Sequence, residues 1–180
     1  MSSITQLTPG TWNVDVSHST IGFVARHLMV TKVRGRFESF SGTITVADEP
    51  LASTIEASVD MKSVSTGDAG RDGHLVSGDF FDVDQFPTMT FTSTGITPDG
   101  DDYELRGDLT IKGVTRPVTF DLEFEGVATD PWGNTKAAFT ASTEINRRDF
   151  GLDWNVALDQ GGMLVSEKIK VELDIQAVKA

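Results

Sequence analysis

Pro117-Val118-Thr119-Phe120-Asp121-Leu122-Glu123-Phe124-Glu125-Gly126-Val127 is the stretch that decides the fold. Val118, Phe120, Leu122 and Phe124 share one parity, and Thr119, Asp121, Glu123 and Glu125 share the other. A period of two means a strand with one apolar face and one wet face. At roughly 3.3 Å per residue the strand runs about 35 Å, about twice the ordinary length. A long strand with a greasy inner face can line a long apolar interior.

The pattern recurs on both sides of this stretch. Thr11–Val16 and Ser19–His27 open the series, the latter with Ile21, Phe23 and Ala25 on one face. In Lys32–Val46, Val33, Gly35 and Phe37 hold one parity and Phe40, Gly42, Ile44 and Val46 the other, which implies a bulge or bend near Glu38–Ser39. Alternation returns at Ile55–Met61, Met89–Phe91, Tyr103–Ile111, Ala137–Ile145 and Ile169–Ile175. Eight or nine long strands joined by short turns make a meander, and closing it into a barrel removes its exposed edges. A jelly roll or sandwich is the competitor, but its strands are usually shorter.

Two segments break the alternation. Gly67–Phe81 is a loop in which Asp68 could cap a short helix, but Gly70, Gly73 and Gly78 weaken it, so little regular helix is expected. Arg147–Gly162 carries Phe150, Trp154 and the pair Gly161–Gly162, and is long for a hairpin loop. Both hold aromatics that must pack on something, so both are expected to cap one barrel end or line its mouth.

Composition narrows the function. The chain has 180 residues, 38% hydrophobic, no cysteine and a net charge of −12. That charge repels phosphate backbones and argues against a nucleic-acid partner. No apolar run approaches the ~20 residues of a membrane helix. The N-terminus has neither a basic n-region nor an apolar h-region, so the expected location is the cytoplasm. His18, His27 and His74 are dispersed, and His18 and His27 lie up to ~30 Å apart on an extended segment, so no intrinsic metal is expected. There is no nucleophile elbow, Walker loop or zincin motif. Pro98-Asp99-Gly100-Asp101-Asp102 lacks the calcium-loop order and reads as a turn. No catalytic constellation emerges, and no cofactor is expected beyond a bound lipid.

The non-repetitive residues carry a resemblance. Arg71–Phe91 (R-D-G-H-L-V-S-G-D-F-F-D-V-D-Q-F-P-T-M-T-F) resembles the YceI-like polyisoprenoid-binding family. So do W-N-V-D-V-S-H-S-T-I-G-F at Trp12–Phe23 and G-D-L-T-I-K-G-V-T-R-P-V-T-F at Gly107–Phe120. The resemblance runs from about Thr11 to Ala177. It implies an all-β, eight-stranded antiparallel lipocalin-like barrel around an elongated apolar pocket. It also implies a carrier of isoprenoid-chain lipids, quinone-like molecules included, and many members of the family are secreted to the periplasm. Residues 1–10 are read as an N-terminal extension and 11–180 as one lipid-binding domain.

The expected pocket residues are Phe23, Phe37, Phe40, Met89, Phe91, Leu109, Phe120, Leu122, Phe139, Ala141 and Trp154. Small residues on the inner parity (Ala25, Gly35, Gly42, Ala57, Gly107, Gly126, Ala137, Ala141) would leave room for a ligand. Arg26, Arg71 and His74 are the expected head-group contacts. Arg26, Lys32, Arg34 and Arg36 fall in a stretch without acids from Asp15 to Glu38. They form either a solvated outer face or a rim that meets an anionic head group or membrane. Membrane contact and a homodimer stay open. Two rivals to the carrier remain: an enzyme acting on a bound lipid or sugar, and a packed barrel with no ligand.

Overall fold

The computed structural model describes residues 3–159 and 162–180; Gly161 of the glycine pair lies outside them. The strands are β1 (Gly10–Val14), β2 (Thr20–His27), β3 (Thr31–Phe37), β4 (Phe40–Val46), β5 (Thr54–Asp60) and β6 (Val64–Ser65), then β7 (Thr88–Asp99), β8 (Asp102–Ile111), β9 (Val114–Thr129), β10 (Thr135–Asn146) and β11 (Lys168–Lys179). All pairings are antiparallel. β1 pairs with both β4 and β11, which closes the sheet. β1 with β2, β3 with β4, and β5 with β6 are each halves of one bent strand, so the ring is an eight-stranded up-and-down barrel.

The bends have local causes. β3 and β4 break at Glu38–Ser39, where the parity switches, and the Glu38 and Ser39 backbones bond to Ser63 and Asp60 across the break. β1 and β2 are separated by a 3₁₀ turn over Val16–His18 that Asp15 caps. β8 and β9 turn on Lys112 and Gly113, with φ of 51° and 75°, the left-handed pair that a tight type I′ hairpin needs.

On β9, Phe120, Leu122 and Phe124 are buried and Asp121, Glu123 and Glu125 exposed, as the alternation requires. The core gathers at the two ends of the barrel. Trp12, Ile44, Val46, Phe124 and Phe139 fill one end, and the residues ahead of β1 join them: a 3₁₀ turn over Ile4–Gln6 buries Ile4 and Leu7 there. Phe37, Met61, Val64, Val83, Phe150 and Leu152 fill the other.

That second end carries the helix, which corrects the expectation of little regular structure. α1 (Ala69–Val76) is eight residues long despite Gly70 and Gly73. Asp68 accepts from the Arg71 backbone N–H at its N-terminus. Asp72 accepts from both the N–H and the hydroxyl of Thr66, and Leu75 and Val76 pack on the core. Capping and burial offset the glycine cost, which is about 1 kcal/mol each.

Candidate functional site

The barrel encloses a cavity of about 600 Å³. That is the size of a small-molecule site and excludes a fully packed interior. Its walls are almost wholly apolar. Phe23, Met89, Phe91, Val171 and Leu173 point inward yet remain half-exposed, because their open faces look into this space.

All fourteen residues singled out in the sequence line it. Phe23, Phe37, Phe40, Met89, Phe91, Leu109, Phe120, Leu122, Phe139 and Ala141 come from the strands, and Trp154 from the loop after β10. Arg26 comes from the tip of β2, and Arg71 and His74 from α1. The small inner residues divide. Ala25, Gly42, Ala57 and Ala141 line the cavity, whereas Gly35, Gly107, Gly126 and Ala137 do not. A Cβ on Gly35 would lie 2.2 Å from Phe23 Cζ, and one on Gly107 2.3 Å from Phe91 Cζ. These glycines are therefore seats for cross-strand rings, not free space. Gly126 sits at the β9–β10 register shift, and Ala137 is packed in the core.

The charged liners collect at one end. The His74 ring stands edge-on to Trp154 at 4.6 Å and to Phe80 at 5.0 Å, and its Nε2 lies 2.9 Å from Asp79. Arg71 donates to the Thr66 hydroxyl and carbonyl, and Arg26 to the Val30 carbonyl. The residue that sequence reasoning missed is Arg147. It lines the cavity and is only 3% exposed. Its guanidinium donates to the carbonyls of Leu152, Trp154, Val165 and Ser166, which ties the loop after β10 into the barrel end. Burial pulls its pKa below the ordinary value, yet a guanidinium stays charged. Nothing in Arg147-Arg148 tells which arginine turns inward; only the 3₁₀ turn over Arg147–Phe150, capped by Asn146, decides it.

Arg34, Arg36, Arg106 and Arg148 each lie within 4 Å of a carboxylate, whereas none of the three cavity-lining arginines does among the described residues. Lys32, Arg34 and Arg36 are exposed on the outer face, which supports the solvated reading for their side chains. His18 pairs locally with Asp15. Among the described residues no group of three His, Cys, Asp or Glu converges as metal ligands would.

Comparison with known proteins adds the following. The family model described as the YceI-like domain matches residues 12–177. Protein YceI of Escherichia coli O17:K52:H18 is 36% identical over 163 residues, covering 90% of this chain and 82% of that protein. A UPF0312 protein of Staphylococcus aureus strain N315 is 38% identical over 161 residues, 88% of this chain and 91% of its own length. A Campylobacter jejuni YceI protein structure superposes with a TM-score of 0.74 at 28% identity, covering 86% of this chain and 90% of its own. A domain of Saccharophagus degradans described as polyisoprenoid-binding superposes at 0.73 with 17% identity, covering 94% and 98%.

Proposed function

This chain belongs to the YceI-like family, and from that premise we propose that its barrel binds and carries one long-chain isoprenoid lipid, polyprenyl or quinone-like. The observation that carries the reading is the enclosed apolar cavity with its charged side chains at one end. A long hydrocarbon gains roughly 25 cal/mol per Å² buried, before the costs of ordering it. The tail would run toward Ile4 and Leu7. The head, a group rich in hydrogen-bond acceptors such as a carbonyl, phenol or phosphate, would meet Arg26, Arg71 and His74. The Arg26 and Arg71 guanidinium groups have donors to spare and, among the described residues, no carboxylate within 4 Å, whereas His74 already has Asp79 at 2.9 Å.

Native mass spectrometry of the purified protein, followed by lipid extraction, tests this directly. One bound isoprenoid per chain is the expected result. The variant Ala141→Leu sharpens it, because Ala141 lines the cavity between Leu122 and Leu173. The added bulk should weaken long chains before short ones, with a folding cost of about 1–3 kcal/mol if neighbours must shift. Failure of the wild type to bind isoprenoids of any length would end the reading.

A further inference from the structure

The β2–β3 hairpin tip is built unlike the other turns. Leu28 and Met29 hold φ of 54° and 65°, the left-handed conformation that such turns normally give to Asn or Gly. The Val30 N–H closes the turn onto the His27 carbonyl at 3.2 Å. The strained tip does not hide its side chains: Leu28, Met29 and Val30 are 45%, 53% and 72% exposed.

A second loop joins the patch. The Leu28 N–H donates to the Leu164 carbonyl, and the backbones of Arg26 and Ser166 are likewise bonded. This brings Val156 and Met163, also exposed, to the same end of the barrel. Arg26, His27, Leu164 and Val165 line the cavity, so the apolar patch borders its polar end. By contrast Trp132, the exposed aromatic at the opposite end, stands on a turn of its own.

Charge selects the partner. The chain carries −12 overall, yet Arg26 and Lys32 face each other across the hairpin just behind the tip, and neither has a carboxylate within 4 Å among the described residues. Arg34 follows on the same outer face. In the second loop Arg148 lies within 4 Å of both Asp153 and Glu167, and Asp149 and Asp159 are its remaining acids. Apolar side chains at the apex with cations one step behind match an anionic bilayer surface: the first enter the acyl boundary and the second meet head-group phosphates.

We propose that the Leu28–Val30 hairpin tip, with Val156 and Met163, docks the mouth end of the barrel onto anionic lipid bilayers. Docking sets the polar end of the cavity against the head-group layer, where a lipid can pass between membrane and protein without crossing water. Vesicle binding itself does not depend on which ligand the cavity takes, so it is separable from the carrier reading.

The test is co-sedimentation with vesicles of phosphatidylcholine, alone or mixed with phosphatidylglycerol. Wild type should bind the anionic vesicles and bind the neutral ones less. Leu28→Asn with Met29→Gly suits the left-handed turn, so a triple variant that adds Val30→Ser should stay folded with an unchanged or higher Tm. It should lose about tenfold or more in partitioning. Lys32→Gln should lose about fivefold, for anionic vesicles alone. Equal binding by the triple variant, or no wild-type binding to either vesicle, overturns the proposal. So does a wild-type dimer in sedimentation velocity that the triple variant abolishes, since the patch would then cover a second copy.

Discussion

The two ends of the barrel each have an apolar core but are closed in different ways. At one end Ile4, Leu7, Trp12 and Phe124 pack as a conventional apolar plug, with the Ile4 N–H donating to the Tyr103 hydroxyl and the Trp12 Nε1–H to the Thr8 carbonyl. At the other end a helix and a long loop are held over the opening by directional bonds from buried or half-buried polar groups, Arg147 chief among them. Apolar packing tolerates substitution if volume is kept, whereas a hydrogen-bonded keystone does not. The same asymmetry gives the cavity a direction, dry at one end and charged at the other.

Breaking the polar end should have the larger effect. Arg147→Leu keeps bulk but leaves the carbonyls of Leu152, Trp154 and Ser166 without their donor, while the Val165 carbonyl keeps the Asn155 amide N–H at 2.7 Å. Each orphaned group costs about 1–3 kcal/mol, and the loop recovers part of that by opening to water, so a net loss of roughly 3–4 kcal/mol is expected. For a domain of this size that lowers Tm by about 10 °C. Hydrogen exchange should rise over 150–166 and stay slow in β1. A uniform rise along the chain would mean that the two ends are not independent units.

Damage to the apolar end should be milder and repairable. Leu7→Ala removes a buried side chain from a segment near the terminus, at a cost of about 2–3 kcal/mol. Leu7→Met should regain most of it, measured by urea titration, because the volume is conserved. A methionine variant as unstable as the alanine one would show that this end too depends on specific shape.

The contrast also explains what could be read from the residues alone. The strands were legible because each alternates between a core face and water, down to the parity switch at Glu38–Ser39 that becomes a real break. The ten expected strand residues from Phe23 to Ala141 reach the cavity wall for the same reason, because inward parity is local information, whereas Arg26 at the strand tip, Arg71 and His74 on α1 and Trp154 on the loop reach it by position at the barrel end. What failed was anything that depends on a cross-strand neighbour. Gly35 looks like free space until Phe23 is seen lying over it. α1 looks too rich in glycine until Asp68, Thr66 and Leu75 are placed around it. Arg147 looks like its neighbour Arg148, and the 3₁₀ turn over Arg147–Phe150, with the carbonyls of Leu152, Trp154, Val165 and Ser166 gathered round it, makes one a buried keystone and the other a surface ion pair with Glu167.

The smallest effect is expected at the joint between the two ends. The first bent strand serves the plug through β1 and the charged end through β2, and Asp15 caps the turn between them. Opposite this turn the Gln176 carbonyl accepts from the Asp15 N–H and the Ser19 hydroxyl, so β11 stays bonded through the break. The Asp15 carboxyl is lowered to about 2, first by the Ser17 hydroxyl and then by His18. A carboxyl with a lower pKa in the folded chain stabilises the fold above its unfolded value, near 3.8, and loses that contribution as pH falls through about 2. The side chain is 22% exposed and the turn is at the surface, so screening leaves under about 1 kcal/mol. Asp15→Asn should therefore be slightly less stable than wild type at about pH 6. The gap should close as pH falls from about 4 toward 2, followed by urea titration at each pH. A gap that persists unchanged to the acid limit would mean that the carboxylate charge contributes nothing and that the amide fails for steric reasons. The joint would then be held by the Ser19–Gln176 bonds instead.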